Sequence, residues 1–319
     1  MSTPTPLLID CDPGVDDALA LALAVASPEV DLLGVTSVAG NGPLEVTTEN
    51  ALRLMHAFGR SDVPVAAGAD RALVRTVDHG LPSPHGHNGT GGVVVPAAPY
   101  PVQKEHAVSL LARRLRDAEP HSVTIAAIGP LTNIALLLAM YPELTGRIAR
   151  LVVMAGSMGR GNITPVAEFN VWTDPEAAHR VLSDSGLEVC VVGLDVTRRA
   201  TVDEEMLREL GARSGAGRLL ADMLHGYADD GPQGWAMHDA LAIAAVIDPG
   251  LIRTRPARID VDTGVGPGRG QTICGLDGPY APYASSTAGH RREPTRAHVA
   301  VDVDVEGFRK LVLGRVALT

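Results

Sequence analysis

The stretch that decides the fold reads Leu7-Leu-Ile-Asp-Cys-Asp-Pro-Gly-Val-Asp-Asp-Ala18. Its apolar start, residues 7–9, predicts a buried strand, Pro13-Gly14 predicts a turn, and residues 15–26 predict a helix. The aspartates at positions 10, 12, 16 and 17 therefore fall at the end of a strand and in the first turn of the next helix. In an open α/β sheet, ligands bind at this edge.

Strand-like and helix-like segments alternate along most of the chain. The predicted strands are Leu7–Asp10, Leu32–Val38, Val63–Ala67, Val123–Ile128, Arg150–Ala155 and Glu188–Leu194. The predicted helices are Asp16–Ala26, Pro43–Phe58, Glu105–Asp117, Leu131–Met140, Pro175–Ser183, Asp203–Ala212, Ala216–Ala228 and His238–Ile247. This alternation indicates a parallel, doubly wound sheet.

The C-terminal third of the chain has a different pattern. Short strand signals at 258–261, 271–274 and 298–303 are separated by Gly/Pro-rich segments, and a last helix is predicted at 305–316. We therefore predict an α/β fold in which residues 1–319 form a single domain. Its central sheet is expected to be mostly parallel, partly mixed and flanked by helices. Residues 70–101 and 229–236 are predicted loops, either functional lids or surface insertions.

Composition limits the classes of function. The net charge of −10 argues against nucleic acid and membrane surfaces as partners. Three cysteines cannot form a disulfide framework and suit a reducing compartment. No N-terminal signal is recognised, and the longest apolar stretch, 18–26, is shorter than the roughly 20 residues of a membrane span. We expect a soluble, cytoplasmic protein.

The clustered carboxylates at the start of the chain need compensation for their charge. A helix N-terminus offsets only about half of one charge. Either some of the carboxyls stay protonated or a cation lies among them, and hard divalent ions prefer oxygen ligands. The alternative is that Asp16 and Asp17 are merely favourable charges at a helix start.

Further motifs follow in a fixed order along the chain. They are Val38-Ala-Gly-Asn41, Gly59-Arg-Ser-Asp-Val-Pro-Val65, His85-Gly86, Leu131-Thr-Asn-Ile-Ala135, Met154-Ala-Gly156, Gly161-Asn162, Ala167-Glu-Phe-Asn170, Asp174-Pro-Glu-Ala-Ala178 and His238-Asp-Ala-Leu-Ala242. Together with Asp10-Cys-Asp-Pro-Gly-Val-Asp-Asp17 they resemble the inosine-uridine-preferring nucleoside hydrolases, from about residue 7 to about residue 275. Each motif is moderately specific, but six or more in order are very specific.

The resemblance implies an activity and a metal site. Members of the family hydrolyse the N-glycosidic bond of ribonucleosides to free base and ribose, use calcium, and are commonly homodimers or homotetramers. By resemblance, the calcium ligands are the side chains of Asp12, Asp17 and Asp239 and the backbone carbonyl of Ile128. Asp12 is also expected to take the proton from a water that the metal activates.

The resemblance further implies how the substrate is bound. The ribose-binding set is Asp16, Asn41, Asn162, Glu168 and Asn170. Asp10 is expected to support the site from behind, by orienting the metal side or the Asn41 loop. The base pocket is expected to contain His85, Phe169, Tyr227, Trp235 and His238. Three alternatives stay open: Asn41 as a turn residue, Phe169 as a core aromatic and His238 as a structural histidine.

The chemistry of these residues suits cleavage of an N-glycosidic bond. Such a reaction passes through a ribosyl cation resembling the oxocarbenium ion of glycosidases, which carboxylates stabilise. His238 is the expected proton donor to the leaving base, because imidazole titrates near neutrality. Stacking on Trp235 is the alternative means of activating the base. Departures from the family pattern at His87 and at 233–237 leave base preference open, with a lean towards inosine and uridine.

Other classes of protein share parts of this pattern. A haloacid-dehalogenase-like, Mg²⁺-dependent phosphatase also has Asp-x-Asp after a strand, but it gives no role to Asp16 and Asp17. An EF-hand requires a bidentate Glu where Leu21 stands. A non-catalytic nucleoside- or ribose-binding protein would keep the ribose set and need no activated water.

Overall fold

The computed structural model describes residues 3–76, 83–213, 215–228, 230–231, 234–276 and 295–316. The strands are β1 Thr5–Cys11, β2 Val30–Ser37, β3 Val65–Ala67, β4 Val123–Ala127, β5 Ile148–Val153, β6 Glu188–Val191, β7 Thr201–Val202, β8 Asp230–Gly231, β9 Gly234–Ala236, β10 Ile252–Val261, β11 Thr272–Leu276 and β12 Arg296–Val303. The helices are α1 Val15–Ala26, α2 Leu44–Ala57, α3 Ala107–Arg116, α4 Thr132–Met140, α5 Phe169–Thr173, α6 Pro175–Leu182, α7 Leu194–Thr197, α8 Glu204–Arg213, α9 Gly215–His225, α10 His238–Ile247 and α11 Val305–Val316. Short 3₁₀ turns cover Pro142–Arg147 and Pro249–Leu251.

A central sheet organises the molecule. In the described residues it has nine strands, in the order β11-β10-β12-β6-β5-β4-β1-β2-β3. The run from β12 to β3 is parallel, whereas β10 pairs antiparallel with both β12 and β11. The prediction of a mostly parallel, partly mixed sheet flanked by helices is thereby confirmed.

Two apolar cores lie on opposite faces of the sheet, because successive residues of a strand point to opposite faces. In β1, Leu7 and Ile9 belong to one core and Leu8 to the other. The first core includes side chains of α1, α9, α10 and α11, and the second includes side chains of α3, α4 and α6. Helix α10 is apolar nearly all round, which suits its burial against α1 and the sheet.

The structure corrects several predicted elements. The strand predicted over 188–194 ends at Val191, and α7 begins three residues later behind Gly193, the residue that caps it. The helix predicted to reach Ala228 ends at His225. The short helix α5 and the small sheet β7-β9-β8 were not predicted, because two- to five-residue elements carry little periodicity.

The carboxyl ends of the parallel strands bring the motif residues to one edge. Asp12 follows β1, Ile128 follows β4 and Met154 follows β5, while α10 begins there with His238. Within the described ranges, each helix is too short or too polar to span a bilayer.

Candidate active site

A cavity of about 670 Å³ opens at the carboxyl edge of the sheet. Twelve of the fifteen residues singled out from the sequence line it: Asp12, Asp16, Asn41, His85, Ile128, Asn162, Glu168, Phe169, Asn170, Tyr227, His238 and Asp239. The other three, Asp10, Asp17 and Trp235, lie outside the lining of the cavity in the described part of the chain. The volume falls within the range of small-molecule sites, about 300–1,000 Å³.

Three buried carboxylates converge beside the cavity. Asp16, Asp17 and Asp239 each offer an oxygen within 4.8 Å of the other two. Asp17 is held in place by backbone N–H groups, since Gly14 donates to its Oδ2 at 2.8 Å and Asp12 donates to its Oδ1 at 3.3 Å. Among the described residues, the triad that meets this distance contains Asp16, whereas the sequence led to Asp12, Asp17 and Asp239.

The electrostatics of this cluster call for a cation. Burial, and then the neighbouring carboxylates, raise the pKa of Asp239 and Asp12 well above the ordinary value. Burial raises the pKa of Asp17 to about 7. Asp16 Oδ1 is buried and has no hydrogen-bond partner among the described residues. Crowded, oxygen-only donors with an unused lone pair fit a hard divalent cation.

Ile128, the residue for which the sequence suggested a backbone carbonyl ligand, lines the cavity. Its carbonyl oxygen accepts a hydrogen bond from Asn170 Nδ2 at 3.0 Å, and the same nitrogen donates to the Met154 carbonyl at 3.1 Å. Asn170 therefore ties together the ends of β4 and β5. A carbonyl oxygen has two lone pairs, so this bond leaves one for a further partner.

Asn41 is joined to Asp12 by two hydrogen bonds. The Asn41 N–H donates to Asp12 Oδ2 at 2.7 Å, and Asn41 Nδ2 donates to the Asp12 carbonyl at 3.2 Å. Gly40 allows this approach, because a Cβ there would lie 2.0 Å from Asp12 Oδ2. The loop after β2 thereby fixes the Asp12 carboxylate at the cavity.

Asp10 lies behind the cavity lining and connects β1 to β2 and to helix α4. Its Oδ1 accepts hydrogen bonds from Thr36 Oγ1 at 2.6 Å and from Asn133 Nδ2 at 2.8 Å. Asn133 Nδ2 also donates to the Ser37 carbonyl, and its Oδ1 accepts from Ala69 N–H. Asn133, the asparagine of the Leu-Thr-Asn motif, thus links the ends of β1, β2 and the segment after β3, a role that the sequence did not reveal.

Polar groups at the start of α5 form another part of the cavity wall. Glu168 caps the helix, since its carboxylate accepts hydrogen bonds from the N–H groups of Asn170, Val171 and Gly156. Burial raises the pKa of Glu168, although these bonds and the nearby His238 act in the opposite direction. Asn162 Oδ1 accepts from the Phe169 N–H at 2.9 Å, so the Asn162 loop is attached to the same helix.

Aromatic and imidazole rings form the remaining part of the wall. His85 and Tyr227 stack with ring centroids 5.0 Å apart and an interplanar angle of 22°. The Val15 N–H donates to His85 Nδ1 at 3.1 Å. His238 Nδ1 lies 2.7 Å from Thr197 Oγ1. All four side chains in these contacts, those of His85, Tyr227, His238 and Thr197, are buried.

The structure corrects the prediction that Trp235 belongs to the base pocket. Its indole packs edge to face with His225 and donates to the Tyr227 carbonyl at 3.2 Å, outside the cavity lining of the described chain. Trp172 lines the cavity instead. It lies three positions after Phe169 on α5, so recognising that short helix would have placed both aromatic residues on one face.

Comparisons with known proteins agree with this architecture. Residues 7–310 match the family model of the inosine-uridine preferring nucleoside hydrolases. The chain belongs to this family. It is 42% identical over 315 residues to a non-specific ribonucleoside hydrolase, RihC, of Klebsiella pneumoniae, covering 98% of each chain. It is 40% identical over 318 residues to a pyrimidine-specific ribonucleoside hydrolase, RihA, of Escherichia coli, again covering 98% of each.

Solved nucleoside hydrolase structures share the fold. A purine-preferring ribonucleoside hydrolase from Gardnerella vaginalis superposes with a TM-score of 0.87 at 33% identity, covering 98% of both chains. The protein is therefore a hydrolase of N-glycosyl compounds and acts on ribonucleosides. The family is metal-dependent, and the acidic cluster beside the cavity fits that requirement.

Proposed function

We propose that this protein is a calcium-dependent ribonucleoside N-ribohydrolase that accepts both purine and pyrimidine nucleosides, with inosine and uridine favoured. One observation carries the proposal: buried carboxylates, amide side chains and a histidine from distant parts of the chain line a single cavity. Among the described residues, no lysine or arginine lines this cavity. A neutral nucleoside suits such a wall better than the phosphate group that a phosphatase must bind.

The calcium site is assigned to the carboxylates of Asp12, Asp17 and Asp239 and the carbonyl of Ile128, with Asp16 close by. A calcium ion held there would act as a Lewis acid: it would lower the pKa of a water bound to it and accept ribose hydroxyl groups as ligands. Calcium is preferred to softer metals because every donor in the set is an oxygen. A cation bound at this site would also offset the negative charge of the crowded carboxylates.

The protein's residues then divide the catalytic work. Asp12, whose carboxylate is fixed by the Asn41 N–H, takes a proton from the attacking water. Asp16, Asn41, Asn162, Glu168 and Asn170 bind the ribose, and the carboxylates stabilise the positive charge that develops on the sugar. His238 gives a proton to the leaving base, and His85, Phe169 and Tyr227 surround that base. Asp10 supports the arrangement from behind.

The proposal is tested with a panel of nucleosides and an assay for free ribose. Protein stripped with a chelator should be inactive, and added calcium should restore release of ribose from inosine and uridine. The panel contains purine and pyrimidine ribonucleosides, because the relative RihC is named non-specific and the relative RihA is named pyrimidine-specific. Full turnover in the presence of chelator would contradict the metal requirement. Binding of nucleosides without release of ribose would favour a non-catalytic binding protein.

Two proposals concern organisation. Residues 1–319 are proposed to form a single catalytic domain, because one sheet includes strands from Thr5 to Val303. By family resemblance the protein is proposed to be a homodimer or homotetramer, which light scattering on the purified protein would test.

A further inference from the structure

Four consecutive residues hold a part of the cavity wall from behind. Residues 269–272, here the anchor segment, lie at the start of β11 and outside the cavity lining of the described chain. They contact residues 156–176, here the wall segment, at four separate points. The wall segment supplies six residues of the cavity lining: Asn162, Ile163, Glu168, Phe169, Asn170 and Trp172.

The wall segment has little regular structure of its own. Residues 156–168, all of which the structure describes, form no helix and no strand beyond a single bridge at Ala167, and α5 has only five residues. An isolated helix shorter than about 12 residues is marginally stable in water. The positions of Glu168 and Asn170 therefore depend on what packs behind α5.

Arg269 joins the anchor segment to the far end of the wall segment. Its Nη1 and Nη2 donate to Glu176 Oε1 at 2.9 Å and Oε2 at 2.8 Å, and Nη1 also donates to the Thr263 carbonyl at 2.7 Å. The Arg269 side chain is 13% exposed and that of Glu176 is 24% exposed. A bidentate pair of this kind holds two groups more firmly than an exposed ion pair does. Glu176 lies in the first turn of α6, so the pair fixes the chain just beyond α5.

The backbone of Gly270 and Gln271 packs directly against α5. Gly270 has a φ of +82°, and a Cβ on it would lie 2.8 Å from Trp172 Cα and 3.2 Å from Ala167 Cβ. Gln271 forms an antiparallel bridge with Ala167, the residue before the N-cap of α5. The Gly270 N–H donates to the Asp262 carbonyl at 2.8 Å, and the Asp262 N–H donates to the Gln271 carbonyl at 3.0 Å. Because Asp262 directly follows β10, these bonds tie α5 to the central sheet.

Thr272 holds the beginning of the wall segment. Its Oγ1 donates to the Ser157 carbonyl at 2.6 Å and accepts from the Ser157 N–H at 2.9 Å, and the threonine is buried. The N–H of the neighbouring Gly156 donates to Glu168 Oε2 at 2.9 Å. Thr272 therefore fixes the backbone that in turn holds the Glu168 carboxylate.

We propose that the anchor segment positions the ribose-binding groups of the wall segment, so that Glu168 and Asn170 meet the sugar in the geometry that catalysis requires. The proposal rests on the proposed function, in which these two side chains bind the ribose. Their placement matters because a misplacement of about 1 Å can lower the rate of an enzyme by about 10²-fold. Arg269, Gly270 and Thr272 are positioning residues, since they act through the wall segment and lie outside the cavity lining of the described chain.

Gly270→Ala tests the contact with α5, and Gly59→Ala is its matched control. Both glycines have a positive φ, +82° and +74°, so both substitutions strain the backbone, but a Cβ on Gly59 meets nothing within 4 Å. Gly270→Ala should lower kcat/KM for inosine by about tenfold or more, whereas Gly59→Ala should leave it at the wild-type value. p-Nitrophenyl riboside should lose as much as inosine, because the two substrates share the ribose and differ in the leaving group. A loss confined to inosine would overturn the proposal, since it would place the effect on the base.

A second pair of variants tests the proposal even if Gly270→Ala fails to fold. Thr272→Val removes the hydroxyl that pairs with both backbone groups of Ser157, whereas Thr272→Ser keeps it. Thr272→Val should lower kcat/KM for both substrates by about tenfold or more, and Thr272→Ser should restore most of the loss. Calcium affinity, measured by titration calorimetry, should change little, because Asp12, Asp17 and Asp239 lie outside the wall segment. A fall in calcium affinity large enough to account for the lost activity would overturn the proposal.

The fluorescence of Trp172 reports on the position of α5 without any measurement of activity. The chain has two tryptophans, so Trp235→Phe leaves Trp172 as the single one. In that background, Gly270→Ala should shift the emission maximum of Trp172 and increase its quenching by acrylamide, whereas Gly59→Ala should do neither. Unchanged fluorescence in Gly270→Ala would show that the anchor segment does not place α5 and would overturn the proposal.

The outcomes separate this proposal from the proposed function. If the wild type in calcium released no ribose from any nucleoside of the panel, the proposed function would fail and this proposal would fail with it. Release of ribose by the wild type, together with unchanged kcat/KM in Gly270→Ala and Thr272→Val, would overturn the role of the anchor segment alone.

Discussion

Gly91 and Gly226 cross with their backbones in direct contact, so that a Cβ on Gly226 would lie 2.0 Å from the Gly91 carbonyl oxygen. This crossing joins the segment that carries His85 to the segment that carries Tyr227. A backbone hydrogen bond from the Ala228 N–H to the Pro84 carbonyl, at 2.9 Å, reinforces it. The stacked pair His85–Tyr227 is therefore fixed by a contact that only glycine permits.

Gly226→Ala should separate these two segments and disturb the wall of the base pocket. We expect KM for nucleosides to rise several-fold and the free energy of unfolding to fall by about 1–3 kcal/mol, the usual cost of overpacking. Calcium affinity should stay at the wild-type value, because the acidic cluster is not part of this contact. Gly314→Ala is the control, since a Cβ on this exposed helical glycine meets nothing within 4 Å. An unchanged KM in Gly226→Ala would show that the crossing does not shape the pocket.

The sequence predicted the main elements and most of the candidate site for one physical reason. Parallel strands end at the same edge, so the residues that follow Cys11, Ala127 and Val153 in sequence had to meet there. The sequence did not predict contacts that depend on how distant segments pack in the folded structure. Nothing in the sequence around Thr197 indicates that its hydroxyl reaches His238, and Trp235 was assigned to the pocket only because it lies near His238 in the chain.

Asp239→Asn and Asp12→Asn should each abolish tight calcium binding and nearly all activity. Removing one carboxylate from a shared site should weaken calcium affinity by about 100-fold or more, since loss of even an outer partner of a metal ligand costs 10–100-fold. The metal-free variants should be no less stable than the wild type, because one of the crowded buried charges is gone. Titration calorimetry measures the affinity, and Asp62→Asn, on an exposed ion pair with Arg60, is the control. Undiminished calcium affinity in either variant would refute the ligand assignment.

Metal-free protein should lose stability as the pH rises from about 4 to about 7. Burial raises the pKa of Asp10 and Asp17 from 3.8 to about 7, so the folded state holds their protons more tightly than the unfolded chain does. The stability that these carboxyls contribute is complete below the unfolded pKa and is lost as the pH rises through the folded pKa. The slope is about 1.4 kcal/mol per pH unit for each group within this window.

Thermal unfolding in chelator and in calcium would measure this effect. A series from about pH 4.5 to about 7.5 covers the interval between the unfolded and the folded pKa values. The stabilisation by calcium should increase with pH, because the cation and the protons compete for Asp17. Asp10→Asn retains an oxygen to accept from Thr36 and Asn133 and should flatten the slope by one group. A stability of the chelated protein that increases over this range would contradict the argument.

Asn170→Ala should reduce both stability and catalysis. The side chain donates to the carbonyls of Ile128 and Met154, and its loss leaves these buried oxygens with one partner fewer, at about 1–3 kcal/mol. Loss of a ribose contact should lower kcat/KM by about 10- to 100-fold, the equivalent of a charge-assisted hydrogen bond of 1.5–3 kcal/mol. Asn170→Asp keeps the shape without the amide donors and should share the loss of stability. A lowered melting temperature with unchanged kcat/KM would make Asn170 a purely structural residue.

2′-Deoxyribonucleosides should be much poorer substrates than ribonucleosides with the same base. The ribose set is built from carboxylates and amides that suit hydroxyl groups, and a substrate without the 2′-hydroxyl leaves some of these buried groups unpaired. We expect kcat/KM for 2′-deoxyinosine to be at least about 100-fold below that for inosine, because hydroxyl contacts that strengthen as the sugar flattens act on the transition state. Since the base is the same in both, the ratio reports on the ribose wall and is independent of His238. Equal turnover of the two sugars would refute binding of the ribose hydroxyls by the metal and the polar set.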